Sequence, residues 1–206
     1  MFLVIGCFNW VGYHLTDALL VNGDKVVGID YLDHTKKEEL VLNIGRNSNF
    51  TFYETIDNSK LKRLDPKAIF VFDSTIDFNY KEFSNVRCFT CMHEKRARNN
   101  IIEITLPFLY GEWMERMEMG YHQDQAFIRF DSQLFSEDAV YVKDFVQALI
   151  QLVDASLLPD SIRYYTPEQA MKKSINKREL IILPSMSNEK RFKKVEVFYR
   201  KNSEFH

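Results

Sequence analysis

The chain has 206 residues, 46% of them apolar and 27% charged, the balance of a globular protein, which excludes a disordered or fibrous class. One domain is expected at this length, able to bury roughly 70% of the surface its unfolded chain exposes. A formal charge of −2 supplies no global field to draw nucleic acid or a membrane surface, and neither is expected as a partner.

In chain order, Phe2 to Ile5 is an apolar run stopped by Gly6, long enough only for a buried strand. From Gly12 to Val21 the period changes. Val11, Leu15, Ala18 and Leu19 fall at helical spacing, and Asn22-Gly23-Asp24 closes that helix, since glycine past the end accepts a left-handed conformation. Lys25 to Asp30 reads as a second buried strand. The three segments form a βαβ unit, which requires a parallel sheet. Further strands are predicted at Asn49 to Thr55, Ala68 to Phe72, Asn85 to Met92 and Ile101 to Pro107.

A helix follows Val142, capped by Asp144, with Phe145, Ala148, Leu149 and Leu152 as its buried stripe. Another opens at Thr166-Pro-Glu-Gln169, a capping box with proline in the first turn. Beyond it, Glu179 to Leu183 and Lys194 to Tyr199 are read as strands. With no internal repeat or low-complexity linker, the alternation predicts an α/β doubly wound fold. Residues 1–158 are expected to form the main domain, with 159–206 as a small extension packed on it. From Asp160 to His206 there are 11 Lys and Arg against 6 Asp and Glu, a solvated surface or a phosphate-binding face.

Three cysteines are too few, and odd in number, for a disulfide framework, and they point to a reducing compartment. The apolar start has no basic lead and breaks at Asn9, too short for a signal peptide. No later stretch approaches a membrane span. A cytoplasmic location is expected.

The first strand-to-helix turn reads Gly6-Cys-Phe8-Asn9-Trp10-Val11-Gly12. Such a turn aims backbone N–H groups and the positive end of a helix at one point, where a pyrophosphate can sit. Asp30, with Tyr31 after it, stands at the end of the second strand, where a carboxylate takes the ribose of a dinucleotide and repels a 2′-phosphate, favouring NAD over NADP. The same glycines also serve a βα turn that binds nothing.

These residues resemble a family. Gly6-x-x-Asn9-x-x-Gly12, His14-Leu15, Asp17 and Val27-Gly-Ile-Asp30 are similar to the opening of extended short-chain dehydrogenases/reductases, the NAD-dependent epimerase/dehydratase family acting on nucleotide sugars. Ile104-Thr-Leu-Pro-Phe-Leu-Tyr110-Gly111 resembles its strand and turn after the catalytic helix. Asp138-Ala-Val-Tyr141-Val-Lys-Asp144 resembles its late segment near the sugar nucleotide. The resemblance runs from Met1 to about Tyr165. It implies a Rossmann-type doubly wound parallel sheet with a small C-terminal extension, NAD as cofactor, a nucleotide sugar as partner, and an approach of Asp73 and Ser74 to the nicotinamide ribose.

The departures are as informative. The family's chemistry uses a tyrosine with a lysine four residues on, which lowers the tyrosine pKa so that it works as a base. None of the ten tyrosines here has a lysine at that spacing; Tyr110 is followed by Met114 and Tyr141 by Phe145. Only His93 to Asn100 separate the predicted fifth and sixth strands. Eight residues make about two turns, roughly 12 Å, where the family places a long catalytic helix that also packs against a second subunit. The usual dimer surface is therefore expected to be absent, which leaves the oligomeric state open. Asn9 replaces a glycine that lets backbone approach phosphate. A left-handed Asn9 would keep the turn, while its side chain and the neighbouring Trp10 imply weakened or altered cofactor binding.

Smaller signals remain. Cys88-Phe-Thr-Cys91 falls in a strand and reads as two buried structural cysteines; with His93 it lacks a fourth zinc ligand, and no metal is expected. His14, His34 and His122 read as structural or exposed, and Arg129 as a candidate contact for a nucleotide diphosphate. Two functions follow. One is a degenerate family member that binds NAD(H) or a nucleotide sugar without the Tyr-x-x-x-Lys chemistry. The other is an active epimerase or reductase with replacement groups, for which Thr90, Tyr110 and Tyr141 are the candidates.

Overall fold

The computed structural model describes residues 1–55, 58–78, 80–91, 100–123, 125–172, 176 and 178–202, except for the side chains of 58, 59, 80 and 81. The opening βαβ unit comprises β1 (Phe2–Ile5), α1 (Trp10–Val21) and β2 (Val26–Ile29). It is followed by α2 (Thr35–Ile44), β3 (Phe50–Tyr53), α3 (Asn58–Leu61), β4 (Ala68–Val71) and β5 (Arg87–Thr90). After β6 (Ile101–Thr105) come β7 (Phe108–Tyr110), a hairpin of β8 (Gly120–Gln123) and β9 (Ala126–Arg129), α4 (Gln133–Asp138) and β10 (Ala139–Tyr141). The chain continues through α5 (Val142–Gln151), β11 (Ser161–Tyr165), α6 (Pro167–Met171), β12 (Glu179–Ile181) and α7 (Asn188–Lys201).

Eight strands form one sheet in the order β12-β11-β6-β5-β4-β1-β2-β3, every described pairing parallel. This is the doubly wound α/β architecture expected from the sequence. The chain runs outward from β1 through β2 to β3, then returns to place β4 on the other side of β1. The order reverses between β1 and β4, and in open α/β sheets the ligand crevice lies at such a switch point, outside the carboxyl ends of the strands. β1, β2 and β4 are buried along their whole length, because both faces of a parallel sheet are covered; hence their unbroken apolar sequences. α1 and α5 pack together over one face, where Leu15, Leu19, Phe70, Phe145 and Leu149 share a core. Leu3, Ile5, Ile69, Val71 and Phe83 form the core on the other face. Each such side chain contributes roughly 1.5–3 kcal/mol by leaving water.

Helix ends follow their local chemistry. After Asn22, Gly23 takes φ +83°, its N–H reaching Leu20 O at 3.0 Å and the Asp24 N–H reaching Leu19 O at 3.0 Å. These two bonds satisfy the last carbonyls of α1. The Thr166–Gln169 capping box forms, with reciprocal bonds of 3.0 and 3.2 Å.

Two local expectations are corrected. Residues 194–199 are helical, inside α7, instead of a strand. Their alternating Val195, Val197 and Tyr199 imitate period two, but the buried set is Arg191, Val195 and Tyr199, four apart, while Val197 is half-exposed. Asp144 lies in the first turn of α5 and does not cap it; Tyr141 is the cap residue. β11, the helices α2 and α4, and the hairpin had no strong sequence pattern.

Strands β11 and β12 continue the main sheet. A third core joins β7, the hairpin, α4 and α7 through Tyr110, Tyr121, Phe135, Val195 and Tyr199. The neighbouring strands β5 and β6 are joined by residues 91–100. The expected loss of the catalytic helix and His93 falls on 92–99, outside the described residues. Among the described residues no helix is long and apolar enough to cross a membrane.

Candidate functional site

The turn from β1 into α1 is built on its two glycines. Gly6 has φ +75°, and a Cβ on it would lie 2.8 Å from the Asp73 Cβ. A Cβ on Gly12 would collide with the Gly6 carbonyl oxygen. Strand and helix approach so closely that neither position accepts a side chain. The turn follows the carboxyl end of β1 at the β1/β4 switch point, and Asp73 and Ser74, just beyond β4, are half-buried, with Asp73 against Gly6. Asp73 is committed locally, its Oδ1 accepting from the Thr75 N–H (2.8 Å) and hydroxyl (2.7 Å).

Asn9 caps α1 with φ −57° and ψ 140°. It is not left-handed, a correction to the sequence reading: Gly6 alone makes the sharp turn, and Asn9 takes the ordinary extended geometry of a helix cap. Its Oδ1 accepts from the Val11 N–H at 3.0 Å, so the carboxamide already holds one of the amides at the helix start. Among the described residues the Trp10 and Gly12 N–H groups meet no acceptor. They are the donors left for an anion. The Trp10 indole packs edge-on against His14, ring centres 6.3 Å apart, and lies over Gly111.

Asp30 is fully buried. Its Oδ2 accepts from the Phe8 N–H at 2.6 Å, and its Oδ1 accepts from the Tyr31 N–H at 2.8 Å and from Lys37 Nζ at 2.9 Å. Lys37 is also 2.9 Å from Asp33 Oδ1. Burial alone lowers the pKa of this ammonium, but the bonds and charges of Asp30 and Asp33 outweigh it and raise the pKa. Asp30 thereby ties the turn between β1 and α1 to β2 and α2. Phe8 is buried against Phe52, with centres 5.0 Å apart, and Tyr31 is part-exposed.

A cleft of about 320 Å³ opens against Asn9, Trp10 and Val11, walled opposite by Leu109, Tyr121 and Gln123. Gln123 holds that wall in place. Its Oε1 accepts from the Leu109 N–H (2.9 Å) and its Nε2 donates to Pro107 O (2.7 Å). The sequence pattern did not mark Gln123, because its partners come from the strap after β6 and no local spacing announces them.

The three catalytic candidates lie on β5, β7 and β10. Thr90 is largely buried at the end of β5. Tyr110 is fully buried and its hydroxyl donates to Asn188 Oδ1 at 2.8 Å; burial pushes its pKa well above the ordinary tyrosine value. Tyr141 donates to both carboxylate oxygens of Glu112, at 2.8 and 2.9 Å, and burial, then the Glu112 charge, push its pKa up further. Burial opposes ionisation of Glu112, but Lys143 and the other donors around it leave its pKa lowered. Tyr141 instead borders a 220 Å³ cavity with Asp144 and the buried Arg191, which form an ion pair.

His14 is buried, its Nε2 2.8 Å from Glu112 O. A carbonyl only accepts, so this contact selects the Nε2–H tautomer, and burial pushes the pKa down to about 4. His34 and His122 are exposed, and Arg129 is paired on the surface with Asp131. Cys88 and Cys91 are both buried thiols, the former pushed up to about 12 by burial. Among the described residues no cluster of three or more His, Cys, Asp or Glu is arranged to hold a metal.

The chain matches no family model, and no curated protein matches it in sequence. Its fold has relatives among solved structures. The NAD complex of dTDP-glucose 4,6-dehydratase from Bacillus anthracis superposes with a TM-score of 0.66 at 13% identity, over 99% of this chain and 97% of that one. UDP-glucose 4-epimerase from Thermotoga maritima, solved with UDP-glucose, gives 0.61 at 14% identity over 98% and 99%. Vestitone reductase from alfalfa gives 0.62 at 12% identity over 98% of both chains. At such identities the likeness is one of fold: the chain is built on the same α/β plan as these epimerase, dehydratase and reductase structures, as its sequence resemblance implied.

Proposed function

We propose that the chain is a binding protein on an epimerase/dehydratase-like fold, taking NAD(H) or a nucleotide sugar at the β1/β4 crevice without the Tyr-x-x-x-Lys chemistry. The observation that carries the reading is the interlocked Gly6–Gly12 turn, which leaves no room for a Cβ at either glycine, with two amides at the start of α1 that meet no acceptor among the described residues. Trp10 and Gly12 would receive the phosphates, Asp73 and Ser74 border the same mouth, and Asp30 with Tyr31 marks the adenosine side. A bound nicotinamide would supply a hydride acceptor or donor. Of the candidate bases, Tyr110 and Tyr141 match this poorly, since a useful base has a pKa near the working pH and both are pushed the other way. Residues 1–158 serve in this reading as the nucleotide unit, with 159–206 as its extension, and the protein works as a sensor or partner protein in a cytoplasmic setting.

Isothermal titration with NAD⁺, NADH, UDP-glucose and dTDP-glucose tests the reading. Saturable heat with at least one is expected, with no change in the sugar on prolonged incubation. Absence of heat and of thermal stabilisation with all four would remove the binding claim. Turnover lost in Tyr141→Phe or Tyr110→Phe would make the protein an enzyme instead.

A further inference from the structure

The adenosine end of the crevice carries a feature that the glycine turn does not explain. A carboxylate at the end of β2 recognises a ribose only if it has acceptor positions to offer the 2′- and 3′-hydroxyls. Asp30 has about four such positions, and three are already filled, by the Phe8 N–H, the Tyr31 N–H and the Lys37 ammonium. The first two donors are backbone and fixed. Lys37 is the movable one. It lies in the first turn of α2 with its side chain only 15% exposed, and Asp33 holds the same ammonium. A diol arriving here must displace the Lys37 ammonium, giving up a full ion pair for hydroxyl donors that carry no charge of their own.

We infer that Lys37 determines specificity at this site: its ammonium occupies the ribose position on Asp30 and holds down affinity for any ligand that presents an adenosine diol there. The inference rests on the dinucleotide reading above and deepens it. Ligands gripped only through phosphate at Trp10 and Gly12 bypass the lock. The same ammonium compensates the Asp30 charge, so that the carboxylate rejects a 2′-phosphate less than a bare one would. Removing it therefore acts with opposite signs on the two dinucleotides.

Lys37→Met keeps the aliphatic stem and deletes the charge. Titration of wild type and variant with NAD⁺, NADP⁺ and inorganic pyrophosphate is the test, with thermal unfolding run alongside. The variant is expected to bind NAD⁺ about tenfold more tightly, NADP⁺ more weakly, and pyrophosphate unchanged. Lys37→Gln, which keeps a neutral donor, should fall between, and it replaces the methionine variant if that one does not fold. NAD⁺ affinity unchanged or reduced in a folded variant, while wild type binds NAD⁺, overturns the lock alone. Equal gains for all three ligands overturn it as well, since general loosening of α2 would produce them. No binding of any ligand to wild type or variant overturns the dinucleotide reading and the lock with it.

Discussion

Asn9 shows at residue scale how one side chain can serve the fold against the ligand. Its carboxamide satisfies the Val11 N–H and stabilises α1, while withholding a donor from the site. Asn9→Gly should lower stability by only a few tenths of a kcal/mol, since glycine also caps adequately, and should strengthen NAD⁺ binding about tenfold by returning a backbone donor to the phosphates; paired thermal unfolding and titration check both halves. Gly12→Ala should do the reverse. With a methyl group driven into Gly6 O, the turn must open at a cost of about 1–3 kcal/mol or more, and binding should vanish with it. Gly6, Gly12 and Asp30 were legible in the sequence because a tight turn and a strand-end carboxylate are local matters. Lys37 and Gln123 were not, since what they do depends on which backbone the fold brings beside them.

Among the elements, α7 ties together the segments that follow β6. The Tyr199 hydroxyl donates to Met114 O at 2.7 Å and Gly111 O at 3.2 Å, Asn188 receives Tyr110, and Arg191 meets Asp144 where burial raises the aspartate pKa. Tyr199→Phe should cost about 1–2 kcal/mol, the usual effect of leaving buried carbonyls without a donor. Arg191→Met should cost about 3 kcal/mol by stranding the Asp144 charge, and Arg191→Met combined with Asp144→Leu should recover most of it; denaturant melts of the two variants measure the difference. This helix was misread because its β-branched and aromatic residues carry strand propensity, and only tertiary burial of the four-spaced set decides the period. β1, β2 and β4 were read correctly for the opposite reason: a strand buried on both faces announces itself by composition alone.

For the whole molecule, a doubly wound parallel sheet was implied by β/α alternation, but its strand order, and the addition of β11 and β12 beyond β6, needed the three-dimensional pairing. The same scale governs acid stability. His14 has a pKa of about 4 when folded against about 6.5 when unfolded. Between these values the unfolded chain binds the extra proton, so stability rises with pH there. The contribution of neutral His14 is complete above about pH 6.5 and is lost as pH falls towards 4, on the order of 3 kcal/mol in all. Urea midpoints measured from pH 7 to 4 should show this decline, and a His14→Gln variant should flatten it.

The claim on which the account turns is that a diphosphate lies on the amides at the start of α1. An amide-resolved NMR titration with NAD⁺ tests it most directly. The account predicts saturable shifts at Gly6, Trp10, Gly12 and Tyr31, with Trp10 and Gly12 moving most and the hairpin tip unmoved. Shifts confined to the Tyr141–Arg191 cavity, or a spectrum that NAD⁺ leaves unchanged at millimolar concentration, would contradict it.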